Sequence, residues 1–222
     1  MNILFVYAHD DPASFGAAMH NRALSFFEQK GCKAIISDLY ASGFHPVAAK
    51  WDFKSLSGAH KNYMLEQNSA VHSEGAFAED IKSEIEKIRS ADIVVFEFPL
   101  WWSSTPAVLK GWFDKVFAMG VAWDGDHRYK SGLLSGKKAM VITSAGDKEQ
   151  AYSAQGIHGA TVTQHLYPLL HSTLAHAGFD VYRPFITTGL TVSDEEERQK
   201  HIDELGEYLE KNFESPDFIY KH

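Results

Sequence analysis

Five short apolar runs recur along the chain, separated by longer segments with helical spacing. Residues 93–98 (IVVFEF) are the most continuous run, β-branched and aromatic throughout except for Glu97. A strand covered by helices on both faces reads this way, without the strict alternation of a half-exposed strand. Residues 3–8, 33–36, 139–143 and 181–187 share the character and predict four more strands. Between them, Ser14 can cap a helix that runs to about Lys30 and stops at Gly31. Residues 79–89 put Ile81, Ile85 and Ile88 on one face of a surface helix. Thr105 and Pro106 read as the N-cap and first residue of another. Its Val108, Leu109, Trp112, Phe113, Val116 and Phe117 make a stripe wider than one core contact requires. That width fits either a deeply buried helix or one with a second apolar partner. Residues 161–177, interrupted by Pro168, form a helix ended by Gly178. Ser193 caps a last helix to about Phe213, with acids in its first turn where the dipole favours them. The remaining residues read as a tail. Residues 41–79 are irregular, with a short helix at about 54–67, and long for a structureless connection. They wrap a site or a partner.

Alternating strands and helices predict a doubly wound α/β domain over residues 1–222, with helices on both faces of the sheet. The sheet is five-stranded and parallel, in the order 2-1-3-4-5. Ligands bind such sheets at the carboxyl ends of the strands, where residues 9–15, 99–104 and 143–158 would converge. The first of these loops leads into a helix N-terminus, which suits an anion and equally suits a plain capped connector. It holds neither the P-loop pattern nor the dinucleotide fingerprint. The second, Leu100-Trp101-Trp102-Ser103-Ser104, offers backbone donors and flat indole walls to a planar polar ligand. Four of the five tryptophans lie between residues 101 and 123, and Trp favours interfaces and aromatic sites.

Composition narrows the classes. A formal charge of −8 argues against nucleic acid or an anionic membrane as the main partner. The single cysteine, Cys32, excludes an intrachain disulfide and fits a reducing cytoplasm. The first apolar run is too short for a signal peptide or a membrane span. Zinc-type Cys/His spacing is absent, and His165, His171 and His176 include no i,i+4 pair, so no metal site is expected.

Two long motifs, FEFPLWWSSTPAVLKGWFDKVF and AYSAQGIHG, resemble the NAD(P)H:quinone oxidoreductases, flavodoxin-like flavoenzymes. AHDDPASFGAAM, SDLY, EGAFAEDI and GFDVYRP extend the similarity over most of the chain. The resemblance implies a homodimer, a tightly bound flavin (FAD rather than FMN), NAD(P)H as co-substrate and ping-pong, two-electron reduction of quinones. Carried over by position, His9, Ser14, Phe15, Gly16 and Ala18 would surround the flavin's pyrophosphate and ribityl chain. Pro99, Leu100, Trp101, Trp102 and Ser103 would hold the isoalloxazine ring. Thr143, Ser144, Ala145 and Gly146 would complete its polar edge, with Leu190 nearby. Arg198 would meet the far half of FAD, and Tyr152 and His158 would form the proton-handling pair. A free tyrosine, pKa ~10, is a poor acid at neutral pH, so a histidine is a sensible relay partner.

Several positions depart from the family pattern. Asp147-Lys148-Glu149 is more charged than expected beside a flavin, and Tyr63 falls where a glutamine contacts the adenine end. Trp123 and His176 replace a tyrosine and a phenylalanine of the substrate pocket. Two other activities fit the same residues: an FMN-dependent azo or nitro reductase, and a flavin-binding ancillary subunit of an ion-efflux system.

Overall fold

The computed structural model describes residues 1–56, 58 and 62–222. Its centre is a sheet whose strands run β1 (Asn2–Tyr7), β2 (Lys33–Asp38), β3 (Ile93–Pro99), β4 (Lys138–Ser144), β5 (Asp180–Tyr182), β6 (Phe185–Thr187) and β7 (Phe218–Tyr220). The spatial order is β2-β1-β3-β4-β5-β7, with β6 also alongside β4. The expected order thus holds along the parallel part, but the sheet has seven strands rather than five. Two local causes account for the difference. Pro184 has no N–H to donate, and the fifth run divides around it: β5 pairs with Lys138 and Ala139, and β6 with residues 142–144. The presumed tail is β7, antiparallel to β5, with Val181 opposite Tyr220 and Tyr182 opposite Phe218. It covers an edge that would otherwise expose unpaired backbone.

The continuous apolar runs become the buried middle of the sheet. On one face Val94, Phe96 and Phe98 meet α3 (Glu79–Ser90) and α4 (Ala107–Val116). On the other, Ile93 and Val95 meet α1 (Phe15–Gln29) and α7 (Glu195–Glu214), which pack against each other. β2, at the edge, is only partly buried. Ser14 caps α1 as expected, accepting from the Ala17 N–H at 3.1 Å, and Gly31 follows with a left-handed φ of 73°.

Other helix ends shift. Pro106 is the N-cap of α4, not its first residue, and Thr105 makes no cap; the Pro106 carbonyl accepts from Leu109 and Lys110 at 3.0 Å each. A proline with extended ψ supplies that carbonyl without needing a donor. Asp194, not Ser193, caps α7, because its carboxylate and that of Glu197 can satisfy each other's backbone N–H reciprocally. Residues 161–177 do not make one helix. Thr161 caps α5 (Val162–His165), then come α6 (Tyr167–Leu169) and a π-helical turn (Leu170–Ala175) before Gly178 at φ 101°. Pro168 breaks the i→i−4 ladder here. The helix expected at 54–67 falls instead at α2 (Tyr63–Val71), with Asn62 as N-cap; residues 57 and 59–61 of that expectation lie outside the described residues.

The wide stripe of α4 is resolved within one chain. Leu109, Trp112, Phe113, Val116 and Phe117 are all buried. Sheet and α3 cover one side, with Trp112 Nε1 donating to Glu84 at 2.8 Å. The irregular segment covers the other: a Cβ on Gly111 would lie 2.1 Å from the Pro46 carbonyl, so only glycine permits that approach. Lys115 anchors the same segment through Asp52 at 3.0 Å and the His45 carbonyl at 2.8 Å, with both ionic side chains 1% exposed. The segment from 41 to 79 is therefore the second apolar partner of α4. Among the described residues no helix is long and apolar enough to cross a membrane.

Candidate active site

The three expected loops do meet at one sheet edge. β1, β3 and β4 end in register, Tyr7 beside Glu97 and Pro99 beside Ser144. Backbone bonds continue past the strands, from Ala8 N to Glu97 O at 2.9 Å, Leu100 N to Ser144 O at 2.8 Å and Ala145 N to Thr187 O at 2.8 Å.

In the first loop His9 Nδ1 accepts from the Asp11 N–H at 3.1 Å. Its ring lies against Gly16, where an added Cβ would come within 3.3 Å. A small residue there lets the imidazole sit over the first turn of α1, whose leading amides have no intrahelical acceptor. Phe15 is half-buried and meets His201 of α7 edge-on at 6.3 Å; Ala18 is exposed.

In the second loop Trp101 and Ser104 exchange both backbone hydrogen bonds, at 3.0 and 2.9 Å, closing a two-residue turn. The two central residues are left-handed, Trp102 at φ 51° and Ser103 at φ 58°. Glycine or asparagine normally occupies such a turn, and a bulky residue held there costs about 1–3 kcal/mol. The strain presents a Trp102 side chain that is 100% exposed.

The third loop is stapled to the loop after β6: Gly189 N donates to Asp147 O at 2.7 Å, and Thr191 Oγ1 to Gly146 O at 2.9 Å. Leu190 N reaches Ala145 O at 3.4 Å. Thr143 and Ala145 are buried, and the Thr143 hydroxyl donates to Phe98 O at 2.8 Å. They shape the edge from beneath; Ser144 and Gly146 lie nearer the surface. Farther along, the Tyr152 and His158 rings stack at 4.4 Å and 12°. They are brought together, as face-to-face rings. His158 Nε2 is paired instead with Asp147 Oδ2 at 2.9 Å. Burial pushes the Tyr152 phenol up, the charge of Asp147 adds to this, and a hydrogen bond to the Asp147 backbone opposes it.

Trp123 and His176 also meet, edge to face at 5.9 Å, and line a cavity of about 320 Å³ with Ser104, Phe113 and Phe117. Burial, then the charges of Arg128 and His171, hold the His176 imidazole below its usual range. Tyr63 is turned inward: its hydroxyl donates to Asp52 at 2.7 Å, and burial pushes its pKa far up. Arg198 is exposed on α7. A neighbouring cavity of about 420 Å³ is lined not by it but by Glu197, Lys200 and His201, together with Lys148 and Val192. Sequence reading missed these three, although they are one helical turn or less from Arg198.

Another missed group lies beneath the first loop. His20 of α1 and Glu97 of β3 form a buried pair at 2.5 Å, with the Tyr7 ring 4.7 Å from the imidazole. The signal was Glu97 itself, the sole charge in the most apolar strand. His20, Tyr7 and Asp38 line a cavity of about 590 Å³ on the β2 side of the loop. Among the described residues no cluster of His, Cys, Asp and Glu could hold a metal ion.

Comparison with known proteins places this geometry. Residues 1–209 match the model of the flavodoxin-like fold family. A ribosyldihydronicotinamide dehydrogenase [quinone] from Pongo abelii is 40% identical over 202 residues, covering 89% of this chain and 85% of that one. The NAD(P)H dehydrogenase [quinone] 1 of Cavia porcellus is 36% identical, covering 84% and 68%. The crystal structure of a putative quinone reductase from Klebsiella pneumoniae superposes with a TM-score of 0.92 at 33% identity, over 99% of this chain and 87% of that one. With these relatives and this fold, the chain belongs to the family of flavodoxin-like quinone reductases.

Proposed function

We propose that this chain is an NAD(P)H-dependent flavoenzyme that reduces quinones by two electrons, working as one flavodoxin-like domain in a homodimer. The observation that carries the reading is the strained Trp102–Ser103 turn, facing open space at the edge where the first and third loops also end. An apolar ring held at full exposure in a costly backbone conformation calls for a flat ligand to cover it. The residues fit a flavin. Trp101 and Trp102 offer its ring system flat walls, and the amides after Ser14 suit phosphate. Gly16 keeps that approach open. A bound flavin would supply two-electron redox chemistry, the part no side chain here can perform.

The rest falls to the chain. The turn orients the ring plane, and the stapled third loop holds the polar edge. Tyr152 donates a hydrogen bond toward charge that develops during reduction, and His158 takes up or returns the proton. Trp123 and His176, uncharged at neutral pH, suit an apolar aromatic acceptor. Donor and acceptor use one slot in turn, hence ping-pong kinetics. The cavity of about 420 Å³ supports FAD over FMN through Lys148 and Lys200, which could meet a second phosphate beside Glu149 and Glu197 on the same wall. The α4 stripe no longer argues for a dimer; the exposed Trp102, Ile157 and Tyr167 side chains do.

The decisive test is the chromophore. Purified protein should be yellow and release FAD on heating, identified by mass spectrometry. Colourless protein that takes up neither flavin would remove the reading. Light scattering should report a dimer at micromolar concentration.

A further inference from the structure

The candidate pair has a third member that the sequence motif does not contain. Asp147 Oδ2 lies 2.9 Å from His158 Nε2 across eleven residues of loop. Both ends are held independently of this bond. The Asp147 carbonyl accepts from Gly189 at 2.7 Å, and His158 N donates to Ala151 O at 3.1 Å. Gly156 lets the loop close on itself, since a Cβ there would lie 2.3 Å from the Ala151 carbonyl. Tyr152 fills the space between, stacked on the imidazole, and His165 closes the cluster edge-on, 6.3 Å from His158 and 6.5 Å from Tyr152.

We propose that Asp147 is a positioning residue that fixes the tautomer and the ring orientation of His158. An ionised carboxylate only accepts hydrogen bonds, so the nitrogen facing it must carry the proton. Nε2 is then N–H, and Nδ1 is the nitrogen with the lone pair. In a neutral imidazole the two nitrogens have opposite roles, and the partner of one decides the other. Asp147 therefore makes Nδ1 the proton-accepting atom of the pair. The same division of labour, a carboxylate orienting a histidine that does the proton transfer, is known from hydrolytic triads. Side-chain exposure of 52% for Asp147 and 29% for His158 sets a modest scale, that of one solvent-accessible charge-assisted hydrogen bond. The motif Tyr-x5-His specifies two partners; the charge that selects between the imidazole nitrogens comes from Asp147, outside that motif.

This inference rests on the proton-handling role proposed above, and its test separates the two. Imidazole ¹⁵N spectra of flavin-free protein, assigned by His158→Gln, should show His158 as the Nε2–H tautomer in wild type. Asp147→Ala should give a tautomer mixture, Asp147→Asn should keep Nε2–H because its amide oxygen still accepts, and Asp147→Glu should restore the wild-type pattern. Stopped-flow reduction by NADPH should then be slower in Asp147→Ala by about threefold to tenfold, with KM for the acceptor unchanged. Asp147→Glu should recover most of that rate. Wild-type imidazole signals in Asp147→Ala would overturn the inference, whatever the activity. A shifted tautomer with a wild-type rate would instead sink the proton-handling role of His158 and leave the tautomer assignment standing. Protein that binds no flavin would sink the functional reading alone, and the flavin-free spectra would still decide the role of Asp147.

Discussion

Two of this chain's histidine–carboxylate pairs lie near the same sheet edge and serve opposite ends. His20 and Glu97 are 12% and 4% exposed in their side chains and lie 2.5 Å apart beneath the first loop. His158 and Asp147 are 29% and 52% exposed and lie 2.9 Å apart above the third. Burial separates them. In the first pair Glu97 is almost sealed from water while His20 borders the cavity of about 590 Å³, and Glu97 Oε1 already has no hydrogen-bond partner among the described residues. In the second, water can replace either partner, so the pair can exchange protons at little cost to the fold. A motif search would treat the two alike; the local dielectric makes one a structural commitment and leaves the other available for chemistry.

The largest test of that contrast removes one member of the buried pair. His20→Leu should cost roughly 3–5 kcal/mol, read from the urea midpoint, because it strands a carboxylate inside the protein. The double variant His20→Leu with Glu97→Leu should regain most of the loss. A single variant as stable as wild type would mean that water reaches the pair and that the contrast is false.

The pH dependence sharpens the same point. Burial would lower the His20 imidazole, but the hydrogen bond and charge of Glu97 outweigh it and leave it above its ordinary 6.5. Burial raises Glu97, and His20 only partly opposes this. Both groups thus hold protons more tightly when folded, so stability falls as pH rises. The Glu97 part is fully present below its ordinary 4.5 and is lost as pH rises through its raised value. His20 contributes fully below 6.5, and that part is lost as pH passes its raised value. Thermal melts across this range should show the decline in wild type and a flatter profile in Glu97→Gln.

Next in size is the catalytic side of the contrast. Tyr152→Phe should leave flavin content unchanged and slow reduction by the nicotinamide about tenfold, or ~1.4 kcal/mol. His158→Gln should lose a similar factor and the double variant little more, since stacked partners act as one unit. Wild-type rates in both would reduce the stack to loop packing. The smallest effect concerns the strained turn. Ser103→Gly should raise stability by up to about 1 kcal/mol through relief of its left-handed φ, while the bound flavin, if the turn holds it, should dissociate faster. A stability gain with unchanged flavin retention would show that the strain is idle.

Much was legible from residues alone because it is local. A continuous apolar run reads as a covered strand, and Ser14 stands directly before the free amides of its helix, so β1, β3, β4, α1 and α3 were expected nearly as found. The order of the parallel strands and the meeting of three loops followed from their alternation with helices, since short right-handed crossovers leave few alternatives. What residues alone left open depended on partners far away in the chain. The wide α4 face was ambiguous until Gly111 met Pro46 and Lys115 met Asp52, contacts that no helical period encodes. Residues 218–220 became a strand only because β5 left an edge beside them. The same distance hid both histidine–carboxylate pairs: His20 and Glu97 are seventy-seven positions apart, Asp147 and His158 eleven. Sequence supplied the ionisable groups, but burial and pairing set what each can do, and both are decided only when the chain closes on itself.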